Sequence, residues 1–187
     1  MAHESFTVTD HDTPTRHPLA NLAPELSHVV AKVTTDTDVD YLEVTGLDIL
    51  SHEAYEIIFD TVNPTASVSE YYLFINGDTT PTNYYETYFQ ITPTTTYQGS
   101  VNTPVIGAAP GGNRMSARIT LIRDRVFYIP RYWSFVNRDS GTNIYIELRA
   151  GHGPGTVENI TSIRIQSEVA GAVGGGSKLV VKAWRRA

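Results

Sequence analysis

The chain has 187 residues, 41% of them hydrophobic and 18% charged, with a net charge of −6 and no cysteine. That composition fits one globular domain, or a domain with an arm, and excludes disulfides, thiolate catalysis and cysteine-held zinc. No apolar run approaches the roughly 18 residues of a membrane span, and MAHESFTVTDHD has neither the basic start nor the apolar stretch of a signal peptide, so a soluble protein made in the cytoplasm is expected.

Residues 1–26 are polar, contain Pro14, Pro18 and Pro24, and show no sustained periodicity. They read as part of an arm over 1–39 whose apolar contacts would be Phe6, Val8, Leu19, Leu22 and Leu26. Such an arm is held in place by its own domain or by a neighbouring copy. Within it, PELSHVVAK (24–32) suits either a short helix with proline in its first turn or an incoming strand. Asp36, Asp38 and Asp40 in TDTDVDY have the spacing with which calcium loops begin, but the glycine and closing glutamate of such a loop are missing. Solvated charge is the expectation there.

From residue 40 onward β-type segments recur: DYLEVTGL (40–47), EAYEIIFDTV (53–62), EYYLFING (70–77), NYYETYFQI (83–91), MSARITLIR (115–123) and RVFYIPRYWSFV (125–136). NIYIELRA (143–150), NITSIRIQSEV (159–169) and SKLVVKAWR (177–185) complete the set. Apolar and polar residues alternate in many of them, and the connections are rich in glycine, proline and asparagine. ITPTTTYQGSVNTPVIGAAPGG (91–112) is the longest weakly structured insertion. The prediction is an all-β fold over 40–187, an antiparallel β-sandwich of jelly-roll type with an extended N-terminal arm. Asn76-Gly77 is the signature of a tight hairpin turn.

Near the C-terminus, GAVGGGSK (171–178) places glycines at phosphate-loop spacing. Serine precedes lysine, however, and strand-forming sequence flanks the loop where a helix is required. It reads as a wide turn between the last two strands.

Charge is divided along the chain. Residues 1–113 hold fifteen acids and two bases, and residues 114–187 hold five acids and twelve bases. Arg114, Arg118, Arg123, Arg125 and Arg131 form a candidate charge-pairing interface. Because alternation spreads the arginines over opposite faces, acid–base pairing within the fold or across a subunit contact is favoured over nucleic-acid binding. His3, His11 and His17 lack zinc spacing, His28, His52 and His152 stand alone, and no GxSxG elbow exists. No enzyme activity and no cofactor are expected.

Two blocks carry a resemblance. EYYLFINGDTTPTNYYETYF (70–89) and NITSIRIQSEVAGAVGGGSKLVVKAWRR (159–186) resemble segments of bacteriophage virion structural β-sandwich proteins, as do ARITLIRDR and NIYIELRAG between them. The likeness spans about residues 40–186. It implies a structural virion protein, first a capsid decoration (cement) protein whose partners are the major capsid protein and further copies of itself, as a dimer or trimer. The alternative it implies is a tail-fibre or baseplate component that binds host glycans. Tyr71, Tyr72, Tyr84, Tyr85 and Tyr88 would then form the sugar platform, although core packing is the simpler role for such a cluster. The resemblance brings no catalytic residues. It places the protein in the virion, without nucleic-acid or membrane contacts.

Overall fold

Along Arg114–Arg123, Met115, Ala117, Ile119 and Leu121 are buried while Arg114, Ser116 and Arg118 are exposed. A pleat with a period of two turns that pattern into a strand with one dry face. The same logic produces every long strand of the molecule. The computed structural model describes residues 27–92, 94–124, 126–139 and 144–185.

Twelve strands follow in order. They are β1 (Ser27–Thr34), β2 (Tyr41–Thr45), β3 (His52–Val62), β4 (Ser69–Ile75), β5 (Tyr85–Ile91), β6 (Thr96–Val101), β7 (Val105–Ala109), β8 (Arg114–Arg123), β9 (Pro130–Asp139), β10 (Ile144–His152), β11 (Ser162–Ser167) and β12 (Lys178–Arg185). An eight-stranded sheet has the order β1-β12-β3-β8-β9-β10-β5-β6, and a four-stranded sheet has the order β2-β11-β4-β7. Neighbours are antiparallel throughout. The fold is the expected all-β antiparallel sandwich. Its core lies between the sheets, built from Tyr55, Ile57 and Phe59 of β3, Ile119 and Leu121 of β8 and Val181 of β12 on one side. Leu42, Tyr71, Leu73, Ile163 and Ile165 of the small sheet meet them.

Three expectations need correction. The boundary at residue 40 falls too late, because Ser27–Thr34 is a strand paired with β12, the strand alternative for this segment. Residues 1–26, with Phe6, Val8, Leu19, Leu22 and Leu26, lie outside the described residues. The supposed insertion at 91–112 contains two strands, β6 and β7, neither of which alternates: β6 is exposed along nearly its whole length and β7 is buried throughout. Finally, Asn76 (φ 54°) and Gly77 (φ 74°) do form a tight turn, with the Asp78 amide donating to Ile75 O at 3.1 Å. Yet no hairpin grows from it: β4 belongs to the small sheet and β5 to the large one.

The glycine run and the aspartate run turn out to explain each other. Residues 168–177 carry the chain from the small sheet to the large one, and Val173 bridges Val39 on the way. Gly171 N donates to Asp40 Oδ1 at 2.7 Å and Gly175 N to Asp38 Oδ1 at 3.0 Å. A Cβ on Gly175 would sit 2.9 Å from Asp36 O, so only glycine permits the approach. The amides that a phosphate loop would offer to an anion are thus given to the chain's own carboxylates.

Candidate functional site

The small sheet does not span the large one. Its last strand, β7, lies over β8 and β9. There Ser134 Oγ donates to Ile106 O at 3.3 Å and Arg138 Nη1 to Ala108 O at 3.3 Å. Beyond this edge, β10, β5 and β6 continue the large sheet without a facing strand among the described residues.

In that overhang the usual polarity is inverted. The inward row across β9, β10 and β5 carries Tyr132, Arg138, Glu147, Arg149, Glu86, Tyr88 and Gln90. Arg149 is the hub: Nη1 donates to Glu86 Oε1 at 2.6 Å, and both Nε and Nη2 donate to Glu147 Oε2, at 2.9 and 2.8 Å. Gln90 Nε2 donates to Glu147 Oε1 at 3.3 Å, Arg138 Nε lies 3.4 Å from the same oxygen, and Tyr132 OH donates to Glu86 Oε2 at 3.2 Å. Tyr132 reaches that carboxylate because Gly151 lies beneath its ring; a Cβ there would fall 2.6 Å from the ring. Glu86 is wholly buried. Burial lifts its carboxyl to about 7, against the pull of the Arg149 guanidinium. For Arg149 itself, burial works against the charge, but the two carboxylates outweigh it and hold its pKa above the ordinary value. Both glutamates are committed to Arg149 and closed to solvent, a structural network rather than a pair of catalytic carboxylates.

The outward row of the same strands is apolar. Register places Arg118, Phe135, Leu148 and Phe89 side by side across β8, β9, β10 and β5, with Thr120, Trp133, Ala150 and Thr87 in the next row. Ile146 and Ile91 lie in the row on the other side. Trp133, Phe135, Leu148, Phe89 and Ile91 are each 40–47% exposed. These are large fractions for residues that the core would accept.

The predicted site residues scatter over this frame. Tyr71 is buried beneath the small sheet, its OH donating to Ala172 O at 2.8 Å. Tyr84 is buried too, with Ile75 N donating to its OH at 2.9 Å and the OH donating to Asp78 O at 2.8 Å. Tyr72 stands half-buried beside Glu70, and Tyr88 turns inward with its ring 5.2 Å from the Arg149 guanidinium. Tyr85 alone of the five is exposed, on the outer face of the large sheet and stacked on His152 at 5.8 Å. The five tyrosines therefore form no common platform. The hairpin assumed from Asn76-Gly77 would have aligned them, and it does not form.

Of the predicted arginines, Arg114 is exposed at the start of β8. Arg118 approaches Glu56 at 3.8 Å, Arg131 approaches Asp124 at 3.3 Å, and Arg123 Nη1 donates to Glu158 O at 2.7 Å. Arg125 lies outside the described residues. The acidic first part and the basic last part of the chain do pair within the fold. Glu43 meets Arg164 at 2.9 Å, Asp60 meets Lys178 at 2.9 Å, Glu56 meets Lys182 at 3.4 Å, and Glu86 meets Arg149.

A second apolar feature escaped the sequence reading. The loop joining β8 to β9 presents Val126, 74% exposed, and Phe127, 60% exposed. Asp124 organises the residues that follow: the Val126 and Phe127 amides donate to Asp124 Oδ1, at 2.8 and 2.9 Å, and Tyr128 N donates to Asp124 O at 2.9 Å. The amides of Phe127 and Val126 hold the Asp124 carboxyl below its usual range. Tyr128 has φ 57°, a conformation that costs a bulky side chain energy. RVFYIP was read as part of a strand because its residues alternate; proline at 130 and the Asp124 turn move the strand start to Pro130.

No family model and no curated protein matches the chain. Among solved structures, an aerolysin-like protein from Bombina maxima aligns over 78% of this chain and 94% of its own, at 9% identity and a TM-score of 0.15. A superposition that loose carries no argument about fold or function.

Proposed function

We propose that the protein is a structural component of a bacteriophage virion, a capsid decoration (cement) protein that stabilises the head shell by docking on it. The observation that carries this reading is the strand order. Number β2, β3, β4, β5, β6, β7, β8 and β11 from one to eight. The small sheet then runs one-eight-three-six, and the large sheet runs two-seven-four-five once the β9–β10 hairpin between β8 and β5 is set aside. With those strands set aside, the order matches jelly-roll winding, an architecture of viral capsid domains, and so supports this reading. On this reading β9 and β10 widen one sheet beyond its partner, and β1 and β12 extend the opposite edge.

The resemblance of the two blocks to phage structural proteins supports the same reading, and the blocks meet in space. Asn76 Oδ1 accepts the Thr161 amide at 2.8 Å, and Asn76 Nδ2 donates to Asn159 O at 2.6 Å. The Val126-Phe127 tip, organised by Asp124, supplies a preformed contact for the major capsid protein, and ordering it beforehand lowers the entropy lost on docking. Repeated over a shell, many modest contacts sum through multivalency.

The test is immunogold labelling of the virions that carry the protein, with antibody raised against residues 27–187. Label on the head supports the proposal, label on the tail replaces the cement role with a tail role, and unlabelled particles end the virion reading. The Val126→Asp and Phe127→Asp double variant should bind heads at least about tenfold more weakly at an unchanged melting temperature. If it binds like the parent, the tip is not the docking element.

A further inference from the structure

The overhang raises a question that the docking role leaves open: what covers a sheet face with aromatics outside and ion pairs inside? We propose that the outward face of β9, β10 and β5 is the interface between two copies of this chain, packed sheet on sheet. Three observations carry this.

The first is area. Trp133, Phe135, Leu148, Phe89 and Ile91 form one contiguous patch, each 40–47% exposed. With about 150–250 Å² per large side chain, these five alone leave roughly 400 Å² of apolar surface in water. Thr87, Thr120 and Ala150 border them, so the face approaches the ~800 Å² per partner of a standard interface.

The second is polarity. β5 and β10 place Glu86, Glu147 and Arg149 inward beside Arg138 of β9, where burial of charge is costly, and send Phe89, Ile91 and Leu148 outward. Such an arrangement is favourable when the outward side becomes the interior of an assembly.

The third is charge. Among the described residues, charge at the outward parity of these strands lies only at the two ends of β9, Arg131 and Asp139, and the Arg118–Glu56 pair borders the face on β8 and β3. A strongly charged partner would find nothing to pair with at the middle of the face. A second copy brings the same neutral, apolar surface, and an isologous contact places no like charges opposite one another at its centre. Two such faces stack about 10 Å apart, as sheets do in any sandwich.

This inference is independent of the virion reading, because it is tested on the purified chain alone. Sedimentation equilibrium of the full chain at micromolar concentration should give the mass of a dimer. In a Trp184→Phe background, Trp133 emission should shift to the red on dilution as the interface opens. Phe135→Lys and Leu148→Lys, which place a charge at the centre of the face, should each weaken association at least about 100-fold with an unchanged circular dichroism spectrum. Val126→Lys, on the distant tip, should leave the dimer intact. If the lysine variants fail to fold, the dilution series on the parent chain decides.

Three results overturn the proposal. One is a monomer at all concentrations with Trp133 in water. Another is an oligomer indifferent to Phe135→Lys and Leu148→Lys. The third is a monomer whose Trp133 becomes exposed only when residues 1–26 are deleted, which would make that segment the cover.

Discussion

Beneath the small sheet, the inward side chains of β3, β8 and β12 are Tyr55, Ile57, Phe59, Ile119, Leu121 and Val181; a few strands away, on β10 and β5, the same positions hold Glu147, Arg149 and Glu86. Both regions belong to one continuous hydrogen-bonded sheet and both alternate with a period of two. They differ in what lies opposite. Where a second sheet is available, the apolar row faces it and the charges face water. Where none is, the charged row folds into a closed network and the apolar row is left outside. Alternation therefore defines two faces of a strand, and the neighbours decide which face is dry.

The sharpest way to break this contrast is at Arg149. Arg149→Met would leave Glu86 buried without a cation and Glu147 with Arg138 alone, and should cost about 3–5 kcal/mol in urea unfolding. A loss below about 1 kcal/mol would mean that the network is open to water and that the overhang is not a second interior.

Next comes pH. The Glu86 carboxyl titrates near 7 in the folded chain against an ordinary value of 4.5, so between these values the native state holds more protons than the unfolded one. The stabilisation linked to this group is full below pH 4.5, falls as pH rises, and is gone above about 7. The stability difference between the parent and Glu86→Gln should follow that course, by up to about 3 kcal/mol. A difference independent of pH would show that Arg149 keeps Glu86 ionised throughout.

A smaller effect is expected at Gly151. A methyl group there meets the Tyr132 ring and displaces its hydroxyl from Glu86, so Gly151→Ala should cost about 1–3 kcal/mol. The mildest change is Glu43→Gln, which removes the carboxylate from the half-exposed Arg164 pair and should cost less than about 1 kcal/mol. If it matched the loss at Arg149, the distinction between closed and surface ion pairs would fail.

Much of the architecture was legible in the residues. The nine strands expected from the sequence are all present; in β8, for example, apolar Met115, Ala117, Ile119 and Leu121 stand at every second position. β6 and β7 were not legible: TYQGSV has almost no apolar residue, and VIGAA is buried along its whole length, so neither alternates. The acid–base pairing of the two parts of the chain was legible from the charge counts; the particular partners were not, since register is set by the fold. The aromatic outer face was harder to find. RYWSFV and IYIEL offer apolar residues at both parities, and the usual rule would have turned Trp133, Phe135 and Leu148 inward. Glu86, Glu147 and Arg149 at a shared parity were the available sign that those strands face the other way.

The edge pairing of β1 with β12 has a consequence for how the protein is made. The first described strand hydrogen-bonds to the last, and β2 likewise waits for β11. A ribosome delivers Ser27–Thr34 long before Lys178–Arg185 exists, so the growing chain carries unmatched strands until β11 and β12 have been made. Closure of both sheets thus waits for the last of their strands, and chains cut short before Lys178–Arg185 should be soluble only while a chaperone holds them.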